Sequence, residues 1–280
     1  YKGDSSLEID NIKAYETPEY IEDTFLKNGS YAFDFIFLTT KTYDIEIAME
    51  QYKKLINASK KLVILQNGIG NEDLVKNYCD KAKIIRIVTT HGALFKKKGC
   101  VIHTGEGIIK LGNPFLTGLS LGDIDLEQAQ TDLFLLNELI NLSGLESTIS
   151  DDIIKDCWEK IFVNVGINAF GALTRLPNGK LLENEGIKLL MSEAVKEAVK
   201  IAELKEVNLS QKDYIDLMYK VAKNTSENKN SMLQDVLKAK RTEIDYINGR
   251  IVKYAKKFGV NVPINEFLTY LIKGLEQSLN

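Results

Sequence analysis

Short apolar segments alternate with amphipathic ones over the first 118 residues, and this rhythm constrains the fold more than any other feature of the sequence. Three segments rich in aromatic and branched residues are typical of buried strands: 33–38, 61–65 and 84–88. The intervening segments 42–55 and 72–79 have the spacing of helices. Strands that alternate with helices predict a parallel sheet with crossover connections, whose ligands bind beyond the carboxyl ends of the strands.

The rest of the chain is predicted to be helical. Two further β-rich segments, 99–103 and 107–111, close the first half, and the strand pattern ends near Asp123. Six segments beyond that point have helical spacing: 126–142, 151–173, 186–207, 211–223, 242–258 and 263–279. We therefore expect an α/β domain over residues 1–120 and an all-α domain over residues 121–280.

Composition and charge narrow the class of protein. Hydrophobic residues make up 44% and charged residues 27%, as in soluble globular proteins, and no apolar run has the length of a membrane span. The net charge of −3 gives no electrostatic support for a nucleic-acid or anionic-membrane partner. The start, YKGDSSLEID, lacks the pattern of a signal peptide. Cys79, Cys100 and Cys157 fit neither a disulfide framework nor a metal site, so we expect a cytoplasmic protein.

A polar stripe interrupts the apolar segment Trp158-Glu-Lys-Ile-Phe-Val-Asn-Val-Gly-Ile-Asn-Ala-Phe170. Lys160, Asn164 and Asn168 recur every four residues, which places them on one side of a helix, a turn apart. A solvated helix face would also show lysine and asparagine. However, asparagine is a poor helix former, and the apolar flanks leave little of this helix for water. A buried lysine or amide is costly without a partner, so the stripe favours a functional site.

Polar clusters also follow the first two strands. Thr39-Thr-Lys41 and Gln66-Asn67-Gly68-Ile-Gly70 stand at the carboxyl ends, where a ligand of a parallel sheet is expected. Each cluster has a simpler interpretation as well. Asn-Gly favours a turn, and a lysine that follows a strand is usually solvated.

Two other groups of polar residues remain. Asn228, Asn230 and Ser231 lie where a helix should begin; capping explains one of them, and a helix start also suits a carboxylate. His91 and His103 lack the companion residues of a zinc site, so we expect them to be structural and predict no metal.

Seven motifs together reveal a resemblance to a known family. In chain order they are Asp34-Phe-Ile-Phe-Leu-Thr-Thr-Lys41, Gln66-Asn-Gly-Ile-Gly70, Thr90-His-Gly-Ala93, Trp158-Glu-Lys-Ile-Phe-Val-Asn-Val-Gly-Ile-Asn168, Pro177-Asn-Gly179, Ser231-Met-Leu-Gln-Asp235 and Thr242-Glu-Ile-Asp-Tyr-Ile-Asn-Gly249. Each is weak alone, but their order and spacing over nearly the whole chain are highly specific. The sequence resembles the 2-dehydropantoate 2-reductase (ketopantoate reductase) family, the NADPH-dependent oxidoreductases of pantothenate and coenzyme A biosynthesis. The resemblance implies a Rossmann-type parallel sheet followed by an all-α domain similar to the C-terminal domain of 6-phosphogluconate dehydrogenase.

The resemblance also implies roles for particular residues. In the family, the lysine that matches Lys160 protonates the keto oxygen of ketopantoate. Residues that hold the substrate match Asn67, Asn164, Asn168, Asn178, Asn228, Asn230 and Ser231. Residues that contact the cofactor match Lys41, Asn67, Ala93 and Glu243. Hydride transfer to a 2-oxo acid builds negative charge on the carbonyl oxygen, which an adjacent ammonium stabilises and protonates. NADPH is the implied cofactor, and NAD stays open.

One departure from the family pattern concerns the cofactor. Family members begin with a strand, a G-x-G-x-x-G turn, a helix and a second strand, and this sequence shows none of these. That unit of roughly 30 residues or more supplies the pyrophosphate cradle and distinguishes NADP from NAD. Without it the Rossmann-type sheet is incomplete. Either the sequence is part of a longer protein, or it is a short form with a damaged cofactor site.

Three functions remain open from the sequence. The first is NADPH-dependent reduction of ketopantoate to pantoate with Lys160 as the proton donor. The second is a non-enzymatic or cofactor-deficient remnant that serves as a binding or dimerising module. The third is reduction of another branched 2-oxo acid. We expect a small-molecule substrate rather than a nucleic acid or a membrane, with room for a homodimer formed through the helical domain. A glycine-rich fingerprint upstream in the gene would favour the first function over the second.

Overall fold

The computed structural model describes residues 7–26, 33–116 and 124–279. The strands in these ranges are β1 (Phe33–Leu38), β2 (Ser59–Ile64), β3 (Ile84–Thr89), β4 (Gly92–Lys97), β5 (Cys100–Gly105), β6 (Ile109–Gly112) and β7 (Ser147–Ile149). The α-helices are α1 (Pro18–Phe25), α2 (Ile45–Gln51), α3 (Lys53–Asn57), α4 (Asn71–Val75), α5 (Ile124–Leu142), α6 (Ile153–Thr174), α7 (Glu185–Leu204), α8 (Tyr214–Asn224), α9 (Ser231–Leu237), α10 (Asn248–Phe258) and α11 (Pro263–Ser278). The 3₁₀ helices are Thr42–Asp44, Lys81–Lys83, Asn178–Glu183 and Ile244–Tyr246.

Five strands form one sheet in the order β1-β2-β3-β6-β7. The predicted parallel core is confirmed: β1 pairs with β2 and β2 pairs with β3 in parallel, with Phe35 opposite Lys61 and Leu62 opposite Ile84. The chain then passes through the antiparallel hairpin β4-β5 and returns, so β6 lies antiparallel to β3. The predicted fold class, a parallel-sheet domain followed by a helical domain, is confirmed.

Two strands, β4 and β7, were not predicted from the sequence. The expectation that strands end near Asp123 is wrong, because Ser147–Ile149 forms β7 and pairs with β6 in parallel. A strand of three residues is too short to show an alternating pattern. Strand β4 was also missed, because most of it is exposed and two of its six residues are lysines. Pairing with a neighbour, rather than local propensity, decides both strands.

Apolar side chains fill both faces of the parallel strands. On one face, Leu62, Ile64 and Ile84 pack with residues of α2, including Met49. On the other, Val63, Ile85 and Ile87 belong to a cluster that includes Leu136 of α5. Burial on both faces explains why these strands are continuous apolar runs rather than alternating ones.

Helix boundaries follow the predictions closely where apolar spacing is strong. Pro263 occupies the first turn of α11, and Gly259 ends α10 with a left-handed φ of 65°. The predicted helix 42–55 is instead divided into a 3₁₀ turn, α2 and α3. Segment 72–79 holds only the short helix α4. The predicted helix 242–258 begins as a 3₁₀ turn and becomes α-helical only at Asn248.

The chain divides into two compact units. One contains the described residues within 1–40, 44–65 and 72–153, and the other contains 41–43, 66–71 and the described residues from 154 onward. The second unit is helical and includes the short loops that follow β1 and β2. The predicted domain boundary between residues 120 and 121 lies outside the described residues, so the domain limits stay a prediction.

Three smaller expectations concern cysteines, histidines and membranes. All three cysteines are free thiols, and burial raises the pKa of Cys79 to about 11. His91 Nδ1 lies 3.0 Å from His103 Nε2 and accepts a hydrogen bond from the Gly107 amide. Among the described residues, no group of three or more His, Cys, Asp or Glu side chains could hold a metal ion. A search of the same residues finds no helix long and apolar enough to cross a membrane.

Candidate active site

The polar stripe of α6 begins with Lys160, which is tied to the loop after β2. Lys160 Nζ donates a hydrogen bond of 2.8 Å to Asn67 Oδ1. The helix around it is apolar: Trp158 and Phe162 are buried, and the ring of Phe162 lies 4.7 Å from that of Tyr214. The lysine itself is half-buried. A cationic side chain therefore bonds to a neutral amide on a helix whose neighbouring aromatic residues are buried.

Two glycines fix the loop that carries Asn67. Gly68 has a φ of 87°, and a Cβ there would lie 2.6 Å from the carbonyl oxygen of Tyr246. Gly70 has a φ of 76°, and its Cβ would lie 2.7 Å from the Tyr254 hydroxyl. Only glycine combines this backbone conformation with such close approach. The Asn-Gly pair predicted a turn. The structure shows that positive φ and close contacts require glycine at both Gly68 and Gly70.

Tyr246 explains why the neighbouring helix starts late. Its carbonyl oxygen accepts a hydrogen bond of 3.4 Å from the Ile69 amide. The Arg250 amide donates instead to the carbonyl oxygen of Ile247. The carbonyl of Tyr246 is thus directed at the loop rather than into a continuous helix. In a continuous helix the Tyr246 carbonyl would accept from the Arg250 amide. Because it accepts from Ile69 of the loop instead, α10 begins only at Asn248.

The remaining amides of the stripe differ in their burial. Asn164 is half-buried and Asn168 is only 5% exposed. Neither side chain forms a hydrogen bond with any residue that the structure describes. Asn168 is buried as a residue, but its amide atoms keep accessible surface and can bond to water or to a ligand.

Asn178 and Asn230 have a different environment. Asn178 Nδ2 donates to Thr225 Oγ1 at 2.9 Å, and its backbone amide donates to the carbonyl of Asn228 at 3.0 Å. Asn230 caps α9 by accepting from the Leu233 amide at 2.9 Å, as predicted for one residue of this group. Asn230 Nδ2 also lies 3.4 Å from Asn178 Oδ1. These two amides hold the 225–230 turn together, while the side chains of Asn228 and Ser231 are exposed.

A second lysine of the site lies in an ionic cluster. Lys41 Nζ is 2.6 Å from Asp235 Oδ2 and 3.6 Å from Glu243 Oε2. Glu243 Oε1 accepts two hydrogen bonds from the buried residue Thr42, one from its backbone amide at 3.0 Å and one from its hydroxyl at 2.8 Å. The Thr42 hydroxyl also lies 3.1 Å from the carbonyl oxygen of Asn67. The loops after β1 and β2 therefore meet at Thr42.

The electrostatics of this cluster follow from its burial. Burial alone lowers the pKa of Lys41, but the carboxylates of Glu243 and Asp235 more than offset it, and the net pKa is raised. Burial raises the pKa of Asp235, and the Lys41 ammonium opposes this only in part. Lys41 consequently stays charged at neutral pH.

The structure brings most of the predicted site residues into the helical unit. Ala93 is the exception: it lies in β4 of the sheet-containing unit, and its side chain is exposed. Thr42 and Asp235 were not predicted as site residues. Both stood beside predicted ones, Thr42 directly after Lys41 and Asp235 at the end of the Ser231 motif, but only the contacts show their partners.

A sheet domain precedes a helical domain that carries a lysine beside neutral amides, and comparison with known proteins identifies the chain as an oxidoreductase. Comparison with known families gives the particular assignment. The family described as "Ketopantoate reductase PanE/ApbA" matches residues 5–114, and "Ketopantoate reductase PanE/ApbA C terminal" matches residues 152–276. The chain belongs to the ketopantoate reductase family.

Individual relatives and solved structures agree with this assignment. A 2-dehydropantoate 2-reductase from Pyrococcus abyssi is 35% identical over 87% of this chain and 76% of its own length. D-mandelate dehydrogenase, solved with NADH and anilino(oxo)acetate, has a TM-score of 0.76 and 28% identity over 88% of this chain and 77% of its own. A 2-dehydropantoate 2-reductase from Geobacter metallireducens GS-15 has a TM-score of 0.77 over 93% and 80% of the two chains; at 24% identity it supports the fold alone.

Proposed function

We propose that this protein reduces 2-dehydropantoate (ketopantoate) to pantoate with NADPH, a step of pantothenate and coenzyme A biosynthesis. The support is a relative named for this activity at 35% identity, together with a site suited to a small 2-oxo acid. A non-enzymatic module is not favoured, because the chain belongs to a family of reductases and α6 carries a lysine and two amides on one stripe of an apolar segment.

The observation that carries the proposal is the hydrogen bond from Lys160 Nζ to Asn67 Oδ1. In the proposed reaction, Lys160 stabilises the negative charge that develops on the carbonyl oxygen and then protonates it. The amide oxygen of Asn67 orients the ammonium without neutralising its charge. The buried surroundings of α6 strengthen the interaction between the ammonium and the developing oxyanion, because the local dielectric is low.

Substrate recognition is assigned to the polar groups near Lys160 on α6 and at the start of α9. Asn164 and Asn168 stand one and two turns beyond Lys160, with no hydrogen bond to the described part of the protein. Their amides suit the hydroxyl and carboxylate oxygens of ketopantoate, and the exposed Ser231 hydroxyl suits its carboxylate. Asn178, Asn228 and Asn230 are proposed to act with them, chiefly by shaping the turn that leads to Ser231.

A nicotinamide cofactor would supply the hydride. The polar groups present fit the sugar and amide groups at that end of such a cofactor: Lys41 offers an ammonium, Asn67 an amide and Glu243 a carboxylate oxygen that is not bonded to Thr42. Ala93 is proposed as a further contact. D-mandelate dehydrogenase was solved with NADH, so the preference for NADPH is part of the proposal.

A second candidate is reduction of a different 2-oxo acid. The TM-score with D-mandelate dehydrogenase, 0.76, is close to that with the Geobacter reductase, 0.77, so the fold does not choose between the two substrates. The 35% identity to a 2-dehydropantoate 2-reductase favours ketopantoate. A homodimer through the helical unit is also proposed; exposed Phe267 and Tyr270 on α11 offer apolar surface for it.

The test is a steady-state assay of the complete gene product, including a glycine-rich unit if the gene encodes one. Oxidation of NADPH and NADH is followed with ketopantoate and with phenylglyoxylate, the 2-oxo acid that corresponds to mandelate. We expect kcat/KM to be highest for NADPH with ketopantoate, and mass spectrometry to identify pantoate as the product. A higher kcat/KM for phenylglyoxylate would assign the second candidate instead, and no turnover of either acid would overturn the proposal.

A further inference from the structure

Asp235 lies at the inner end of the ionic cluster, where nothing in the sequence pattern assigned it a role. Its carboxylate is 2.6 Å from Lys41 Nζ, with a side chain 12% exposed, whereas the Lys41 side chain is 34% exposed. The carboxylate therefore lies deeper than the ammonium that it holds. The ammonium keeps an accessible side on which a ligand can meet it.

The backbone of Asp235 is well fixed. It belongs to α9, which Asn230 caps at its start, and the Asp235 carbonyl oxygen accepts hydrogen bonds from the Lys238 and Lys240 amides at 3.1 and 2.9 Å. A carboxylate on such a support holds its partner in one place at little further entropic cost.

Glu243 is the more distant partner of Lys41. One of its oxygens is occupied by both donors of Thr42, and the other lies 3.6 Å from Lys41 Nζ, beyond the distance of a normal hydrogen bond. The shorter contact of 2.6 Å therefore makes Asp235 the group that determines where the ammonium lies.

We propose that Asp235 is a positioning residue that holds Lys41 in place to bind the cofactor. The inference rests on the proposed function, in which Lys41 contacts the cofactor. Asp235 acts through Lys41 and touches neither substrate nor cofactor itself. The geometry predicts that loss of the Asp235 charge weakens cofactor binding while the chemistry at Lys160 continues.

The pH dependence of kcat/KM for NADPH can distinguish a positioning role of Asp235 from a merely structural one, because charged groups surround Lys41. The pKa of Lys41 is affected by the charges of Glu243, Asp235 and Tyr43. The charge of Lys240 lowers the pKa of Asp235. Burial lowers the pKa of Lys41, and the carboxylates raise it above its ordinary value. Removal of the Asp235 charge should lower that pKa, so the alkaline limb of the pH profile of kcat/KM for NADPH should move to lower pH.

The first experiment compares Asp235→Asn with the matched control Asp216→Asn, both made in the complete gene product. Asp216 also forms an ion pair with a lysine, Lys220 at 2.7 Å, but on the exposed surface of α8. We expect Asp235→Asn to raise the Kd and KM for NADPH about tenfold, the loss typical of one charge-assisted contact, with kcat changed less than threefold. Asp216→Asn should leave all three unchanged.

A double-mutant cycle with Lys41→Met decides whether Asp235 acts through Lys41. In the Lys41→Met background, Asp235→Asn should change the Kd for NADPH less than about twofold, since the group to be positioned is gone. This comparison stands even if the single variant Asp235→Asn does not fold. A change in the double variant as large as the one expected for the single variant would overturn the proposal, and so would an unmoved alkaline limb in a folded Asp235→Asn.

Failure of the proposed function is distinguishable from failure of this inference. If the complete wild-type gene product neither binds NADPH nor reduces a 2-oxo acid, the proposed function fails and the inference fails with it. If the wild type is active and Asp235→Asn retains its Kd for NADPH, the inference alone is wrong.

Discussion

Lys160 Nζ donates a hydrogen bond of 2.8 Å to the side-chain oxygen of Asn67, a residue 93 positions earlier in the chain. The acceptor is neutral, whereas the other lysine of the site, Lys41, lies against two carboxylates. The two lysines thus differ in these bonding partners. In the proposed mechanism, the Lys160 ammonium meets the oxyanion, and the Lys41 ammonium serves as a fixed positive charge.

Replacement of Lys160 is the most direct test of this division. Lys160→Ala should lower kcat/KM about 10³-fold, because a charge stabiliser and a proton donor are lost together. Affinity for NADPH should change little, since the assigned cofactor contacts of Lys41 and Glu243 remain. Steady-state rates and an NADPH titration give both quantities. Lys196→Ala, at an exposed lysine of α7, serves as the control. Activity of Lys160→Ala within about threefold of wild type would reject the catalytic role.

Asn168 and Asn178 are buried to the same degree, 5% and 6% exposed, but differ in their partners. Asn168 has none among the described residues, whereas Asn178 bonds to Thr225. Asn168→Ala should therefore raise the KM for ketopantoate roughly three- to tenfold with little loss of stability. Asn178→Ala should lower the free energy of unfolding by about 1–2 kcal/mol. Urea unfolding and steady-state kinetics of both variants test this pair. A loss of stability in Asn168→Ala and a raised KM in Asn178→Ala would contradict both assignments.

Ser231 is assigned to hold the carboxylate of the substrate. That contact exists in the ground state and the transition state alike, so Ser231→Ala should raise the KM for ketopantoate and leave kcat nearly unchanged. The exposed position of the side chain makes a folding defect an unexpected result. A large fall in kcat at constant KM would contradict this assignment.

Alanine substitutions of Gly68 and Gly99 can separate the effect of a strained backbone conformation from the effect of a steric clash at the new Cβ. Both have positive φ, 87° and 72°, but a Cβ at Gly68 would lie 2.6 Å from Tyr246 O, whereas at Gly99 it would meet nothing within 4 Å. Gly99→Ala should cost about 1 kcal/mol of unfolding free energy and retain activity. Gly68→Ala should cost more than about 2 kcal/mol and also lower kcat, because it displaces Asn67 from Lys160. Equal stability losses in the two variants would show that close approach is unimportant.

Much of the fold could be predicted because its signals are local. The parallel strands are apolar runs buried on both faces, and helices such as α6 and α11 have long apolar periodicity with clear ends. β7 and β4 could not be predicted, since a strand of three residues and an exposed hairpin strand depend on their pairing partners. The late start of α10 likewise depends on a carbonyl that bonds to a loop far away in sequence.

The sequence by itself determined which residues could form a site: the spacing on α6 placed Lys160, Asn164 and Asn168 on one stripe, and the motifs assigned them to a family of reductases. Only the tertiary structure decided which partners these residues have. It showed that Asn67 is the acceptor for Lys160, that Thr42 and Asp235 hold Glu243 and Lys41, and that Asn178 and Asn230 bond to the protein while Asn168 does not. The physical reason is that spacing within one helix follows from its regular geometry, whereas a hydrogen-bond partner from another segment is set by how the segments pack.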